Sequence, residues 1–248
     1  MNSASDGERP ILVFIHGGGI GPWMWADQAA SFSHDFAVLT PTLPGHHLNG
    51  QSSFSTHTGA AEAVADDVGL LELPRPVTVI GFSLGGQTAI QLAASYPDHV
   101  ERLVVVSSLT NPWPCATALG FLAAASAPLS KPRRFAQAQA AQLSVPEGSF
   151  EDYYALSRSM SAPTLRRLIQ ANFSFAVPDK VLSSSRPLLL MAGNKEPARL
   201  LRGMEDLHSK VRNSSLQVHE GVGHGMPLAQ AGLFNTSLRH WLEATATA

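Results

Sequence analysis

A side-chain hydroxyl attacks a carbonyl only when one group takes its proton and others hold the oxyanion that forms, so serines in strained turns are where chemistry is sought. Ser83 stands in Gly81-Phe82-Ser83-Leu84-Gly85. The β-branched run Val77-Thr78-Val79-Ile80 precedes it, and Gln87-Thr88-Ala89-Ile90-Gln91-Leu92-Ala93, with a helical pattern, follows. That is a strand, a sharp turn and a helix with a serine at the apex. Gly81 and Gly85 offer no Cβ to clash in so tight a turn, and Ser83 is pushed into strained backbone with its hydroxyl clear of the sheet. Leu84 opens the helix with a free backbone N–H, aided by the positive end of the helix dipole and suited to an oxyanion at Ser83.

Ten histidines could supply the base. His224 is the candidate because Gly221-Val222-Gly223-His224-Gly225-Met226-Pro227 is a glycine-rich loop just after the last strand-like run, where the carboxyl ends of parallel strands converge. An acid that orients this imidazole is sought between the serine and the histidine. Glu196, in Gly193-Asn194-Lys195-Glu196-Pro197, sits just past a strand's carboxyl end. Asp179, Glu205 and Asp206 compete with it. Asp179 precedes that strand, however, and the other two fall in a helical segment that should run back across the sheet.

These residues need a frame to bring them together. Strand-like runs occur at Ile11 to Ile15, Phe36 to Thr42, Val77 to Ile80, Val100 to Ser107, Pro187 to Gly193 and Leu216 to Glu220. Helical patterns occur near Met24 to Phe32, Thr58 to Leu71, after Ser83 as far as Tyr96-Pro97, and Met226 to Ala244. Strands alternating with helices imply right-handed crossovers and a mostly parallel sheet covered on both faces. Between about Leu109 and Ser185 no strand-like run appears, and helical segments punctuated by prolines take over. The expectation is an α/β fold with about six strands, one domain over 1–248, and a helical cap inserted at about 109–185. The cap's Phe121, Leu122, Phe135, Leu143, Phe150, Leu168, Phe173 and Phe175 are expected to roof an apolar pocket over Ser83.

Composition narrows the partners. A formal net charge of -2 with 15% charged residues gives no basic stripe for nucleic acid and no polybasic anchor for a membrane. The partner expected is a small ester-like molecule, and self-association into a homo-oligomer stays open. Cys115 is the single cysteine, which excludes an intrachain disulfide and a cysteine-based metal cluster. The N-terminal stretch lacks the basic and apolar regions of a signal peptide, and the expected location is the cytoplasm.

Ser83, Glu196 and His224 in that order, with His16-Gly17-Gly18-Gly19 upstream and Leu43-Pro44-Gly45-His46 between, resemble the α/β-hydrolase fold in its small esterase and lactonase-like branch. The resemblance covers nearly the whole chain outside the cap. It implies that the oxyanion N–H groups are those of Leu84 and Gly18, and that neither cofactor nor metal takes part. Two features depart from the family: the first strand starts at Ile11, leaving no room for the antiparallel strands that commonly precede it, and the acid is Glu where Asp is commoner.

The implied function is a serine hydrolase that cleaves an ester, lactone or thioester through an acyl-enzyme. The alternatives are carbon–carbon bond hydrolysis or acyl transfer by the same residues, or a small-molecule receptor of the same fold. Other residues carry plainer expectations. His16 orients the loop that it opens. His46, His47 and His57 lack a carboxylate spaced to complete a metal site. Trp23 and Trp25 are read as packing residues, Tyr153 and Tyr154 as either surface or substrate contacts, and Cys115 as a small buried hydrophobe.

Overall fold

The computed structural model describes residues 9–48 and 53–246. Six parallel strands form one sheet in the order β2-β1-β3-β4-β5-β6. They are β1 (Ile11–Ile15), β2 (Ala37–Leu39), β3 (Val77–Phe82), β4 (Val100–Val106), β5 (Leu188–Gly193) and β6 (Ser214–His219). Phe82 pairs with Val106, and Val106 with Met191, so β3, β4 and β5 finish nearly level. The loops leaving them meet along one edge.

Parallel neighbours need crossovers, and helices supply them. The first three crossovers contain α1 (Ala26–Phe32), α2 (His57–Asp67) and α3 (Leu84–Ser95) in turn. Between β4 and β5 lie α4 (Ala116–Ser130), α5 (Arg133–Gln142), α6 (Phe150–Ser159), α7 (Ala162–Ser174) and α8 (Asp179–Leu182). Helix α9 (Ala198–Lys210) joins β5 to β6, and α10 (Met226–Ala229) and α11 (Ala231–Thr245) follow.

Every residue of β1, β3 and β5 is buried, which explains their unbroken apolar runs. The period of two sends alternate side chains into two cores. Leu12, Phe14, Ile80, Phe82, Val104, Val106 and Met191 share one with Trp25, Phe32, Phe234 and Leu238. Val13, Ile15, Val77, Val79, Val105 and Leu190 share the other with Val64, Ile90, Met204 and Leu207. The helices between β4 and β5 are anchored in both. Leu168 of α7 belongs to the cluster of Leu43 and Leu84, while Ala136, Ala140 and Tyr153 of α5 and α6 belong to that of Phe82 and Met226.

The edge strands depart most from expectation. The run expected from Phe36 to Thr42 pairs only over Ala37–Leu39, because β2 has a neighbour on one side alone. Strand β6, the other edge, begins at Ser214, ahead of its apolar residues, since backbone pairing to β5 sets its start. The single closing helix divides at Gln230, whose φ of -138° and ψ of 49° interrupt the helical ladder. Cys115 is exposed, contrary to expectation: it stands ahead of α4 with φ 68°, a left-handed turn that carries its side chain outward. Among the described residues no helix is long and apolar enough to cross a membrane.

Candidate active site

The turn after β3 holds Ser83 at φ 54° and ψ -119°, a conformation that a non-glycine residue keeps only when its surroundings impose it. Those surroundings are explicit. The Ser83 N–H donates to the Val106 carbonyl at 2.8 Å, and Ser108 Oγ donates to the Ser83 carbonyl at 2.8 Å. A Cβ on Gly81 would lie 2.2 Å from the Gly85 carbonyl oxygen, and one on Gly85 would lie 2.3 Å from that of His16. Only glycine at both positions lets α3 start so close to the ends of β3 and β1.

His224 reaches over this turn from the loop after β6. Its Nε2 lies 3.2 Å from Ser83 Oγ, and its ring packs against Phe82 with centroids 5.1 Å apart. The Nδ1–H side faces both carboxylate oxygens of Glu196, each at 3.1 Å. The Glu196 side chain is 0% exposed, against 36% for His224, so the acid is enclosed while the imidazole stays partly open.

The loops after β5 and β6 are laced together to achieve this. The Lys195 N–H donates to the Val222 carbonyl, and the Gly221 N–H to Asn194 Oδ1, both at 2.9 Å. A Cβ on Gly193 would lie 2.1 Å from the Val222 carbonyl oxygen, so glycine there lets the two loops touch.

Of the competing carboxylates, Asp206 is held by Lys210 Nζ at 2.7 Å and Asn111 Nδ2 at 3.3 Å. Glu205 is exposed on α9, and Asp179 begins α8. A hydroxyl on an imidazole whose far nitrogen meets an enclosed carboxylate is the arrangement that general-base activation of serine requires.

A cavity of about 440 Å³ opens in front of Ser83, lined also by Gly18, Gly19 and Leu84. Helices α4 to α7 form the rest of its wall, with Ala123, Phe135, Leu143, Leu165, Leu168 and Ile169 as apolar lining and Gln139, Tyr153, Ser157 and Asn172 as neutral polar lining. Among the described residues, no Asp, Glu, Lys or Arg lines the cavity.

Of the eight apolar residues expected to roof the pocket, Phe135, Leu143 and Leu168 line it. Phe121 and Leu122 face outward, Phe173 packs on Trp113, Phe175 on His57 and Phe150 on Tyr154. Tyr153 lines the cavity and donates to Gln139 Oε1 at 3.3 Å, whereas Tyr154 does not line it. Trp25 packs on Phe14 and Phe234 inside the core, and Trp23 lies in a separate cleft beside His46.

Sequence reasoning missed two supports. Ser108 braces the Ser83 carbonyl; its signal was its place just past β4, the strand beside β3. Gln87 is fully buried and donates from Nε2 to the Leu109 and Asn172 carbonyls, each at 2.9 Å, tying α3 to the inserted helices. Thr88 and Gln91 stand in the same helical run, so residue type alone did not single Gln87 out.

Three buried histidines sit near this edge. Burial pushes the His16 imidazole well below its ordinary value, with His46 adding to the shift, and burial takes His46 and His57 down to about 4. His57 is packed between Phe54 and Phe175. Among the described residues no group of three His, Cys, Asp or Glu is placed to hold a metal.

A folded-state value below the unfolded one means that the unfolded chain binds more protons, so this stabilisation is complete above about pH 6.5 and is lost as pH falls toward 4. Each such histidine costs up to about 1.4 kcal/mol per pH unit inside that window. Urea midpoints are expected to fall steadily from pH 7 to pH 5. A midpoint constant over that range would show that the histidines are not buried in their neutral form.

Comparison with known proteins bears on the whole arrangement. A sequence model described as the alpha/beta hydrolase family matches residues 12–236. A protein named pimeloyl-[acyl-carrier protein] methyl ester esterase from Aromatoleum aromaticum is 35% identical over 147 residues, covering 53% of this chain and 56% of that protein. The match thus spans little more than half of that relative's length. A protein of the same name from Chromobacterium violaceum is 30% identical over 213 residues, 81% of this chain and 77% of its own. The structure of MenH from S. aureus superposes with a TM-score of 0.80 over 98% of this chain and 96% of that one, at 17% identity. At that identity the likeness concerns the fold alone.

Proposed function

The chain belongs to the alpha/beta hydrolase family, and from that premise we propose that it is a serine hydrolase cleaving an ester, lactone or thioester of a small apolar substrate through an acyl-enzyme. The observation that carries this reading is the continuous line from Ser83 Oγ through His224 to the enclosed Glu196 carboxylate, at 3.2 and 3.1 Å, with Ser83 facing the cavity. The esterase names of its relatives point the same way.

In this mechanism His224 Nε2 takes the Ser83 proton as Oγ bonds to the substrate carbonyl carbon. The backbone N–H groups of Gly18 and Leu84 hold the resulting oxyanion, and Glu196 stabilises the imidazolium. His224 then passes the proton to the departing alcohol or thiol oxygen or sulfur, leaving the acyl group on Ser83. Water, deprotonated by His224, attacks the acyl carbon; the bond to Ser83 Oγ then breaks, His224 returns the proton to Oγ, and the acid leaves.

The inserted helices act as a cap over the acyl group. Their uncharged wall favours an aliphatic chain, for which burial of each methylene contributes about 0.8 kcal/mol. A panel of chromogenic esters, lactones and thioesters, including methyl esters of carrier-linked acids, tests the reading together with fluorophosphonate labelling. Prompt labelling at Ser83 with turnover of at least one class is expected. A protein that neither labels nor turns over any of them is not a serine hydrolase.

Acyl length gives a sharper check on the cavity. Ile169→Trp, on α7 and lining the cavity, is expected to lower kcat/KM for octanoate esters at least about tenfold more than for acetate. An unchanged chain-length profile would mean that the acyl group lies elsewhere.

A further inference from the structure

Two loops meet behind Ser83, and each is held by a histidine from the other. His16, just past β1, accepts the Leu43 N–H on Nε2 at 3.0 Å, and its Nδ1–H donates to the Gly17 carbonyl at 2.9 Å. His46 accepts the Gly19 N–H on Nε2 at 2.9 Å, and its Nδ1–H donates to the Pro44 carbonyl at 3.1 Å. A backbone N–H aimed at each Nε2 fixes both rings as the neutral Nδ1–H tautomer. The rings meet edge to face with centroids 4.9 Å apart, and both residues are buried.

Local sequence would not hold this loop by itself. Three consecutive glycines, Gly17 to Gly19, carry no side chain to pack, and Gly19 stands at φ 75° with nothing within 4 Å of where its Cβ would be. Glycine there is free to take several conformations, so the geometry must come from outside the loop. The hydrogen bond to His46 is that constraint. It also commits the Gly19 N–H away from the cavity, while the Gly18 N–H has no protein acceptor among the described residues. Gly18 lies against Leu84, the other proposed donor: a Cβ added to it would be 3.4 Å from Leu84 Cδ2.

We propose that His46 is a positioning residue for the proposed reaction: by accepting the Gly19 N–H it fixes the peptide before it, so that the Gly18 N–H is held ready for the oxyanion. The inference rests on the serine-hydrolase reading. A donor aimed at the oxyanion acts in the transition state more than on bound substrate, so its misplacement lowers kcat with little change in KM.

The test compares His46→Phe, which keeps a ring but has no acceptor, with His46→Gln, whose Oε1 can stand near the Nε2 position. His46→Leu replaces the Phe variant if the larger ring prevents folding. Two readouts are taken on each: steady-state kinetics on an ester that the wild type cleaves, and hydrogen exchange of the Gly18 and Gly19 amides. The apolar variant is expected to exchange Gly19 faster and to lose about 10- to 100-fold in kcat, short of the 10²- to 10³-fold cost of deleting an oxyanion donor outright, with KM within about twofold. His46→Gln should recover most of both.

Faster exchange with unchanged kcat overturns the proposal, as does an equal loss in the Gln variant whose exchange is normal. Unchanged exchange in the apolar variant removes the tether itself. If the wild type cleaves no ester and resists fluorophosphonate while exchange responds as expected, the hydrolase reading has failed, and the positioning role fails with it.

Discussion

Ser83→Ala is expected to reduce kcat by about 10⁶-fold, the scale set by loss of the nucleophile in a serine protease triad, and to leave thermal unfolding close to wild type. The two expectations separate chemistry from folding. Alanine keeps the Cβ that already sits at φ 54°, and the contacts that impose this backbone, the Ser83 N–H to Val106 and Ser108 Oγ to the Ser83 carbonyl, do not involve the hydroxyl. The hydroxyl's interaction with His224 at 3.2 Å is what disappears. Turnover by the purified variant, with intact-mass analysis after fluorophosphonate treatment, decides the matter. Activity within tenfold of wild type, or labelling at another residue, would eliminate a covalent step at Ser83.

The second large effect belongs to the acid. Glu196→Gln is expected to lower kcat by about 10³- to 10⁴-fold, as replacement of a triad acid by its amide does elsewhere. Its carboxylate is enclosed and presents both oxygens to His224 Nδ1 at 3.1 Å, so Nδ1 carries the proton and Nε2 stays free to act as base. An amide in that enclosure can turn its NH₂ toward Nδ1, which leaves the proton on Nε2 and removes the base from Ser83. It also leaves the imidazolium without an opposing charge.

Asp179→Asn, Glu205→Gln and Asp206→Asn serve as comparisons and should change kcat less than about threefold, because none of the three contacts the imidazole. Kinetics on the four purified variants, with circular dichroism to verify folding, distinguish them. If Glu196→Gln stays active and one of the other three collapses, the acid is that residue.

The sequence was most informative where chemistry and backbone demand coincide. Gly81 and Gly85 around Ser83 were legible because a turn this tight forbids a Cβ, and the spacings of 2.2 and 2.3 Å state the same requirement in space. Strands β1, β3 and β5 were legible because they are buried on both faces and must be apolar throughout. Strand ends at the sheet's edges were not, since β2 and β6 are bounded by backbone pairing, which leaves little trace in side-chain type. The apolar content of the inserted helices was visible too, but not its direction. Leu122 and Leu168 look alike in sequence, yet one faces solvent and the other the cavity, because helix rotation is set by packing against neighbours.

Residue types and their order along the chain by themselves determined the α/β architecture, the strained serine and the short set of acids and bases able to serve it, because each follows from local sterics or from hydrophobic period. Its place just past a strand's carboxyl end singled out Glu196 among those acids, but only the tertiary structure decided that Ser108 and Gln87 brace the turn and the inserted helices, and that His16 and His46 exchange partners between two loops. Those contacts join residues from 22 to 85 positions apart, as Gln87 to Leu109 and Gln87 to Asn172 illustrate. They depend on how close two chain segments come, a quantity that no local pattern encodes and that the packing of the whole sheet fixes.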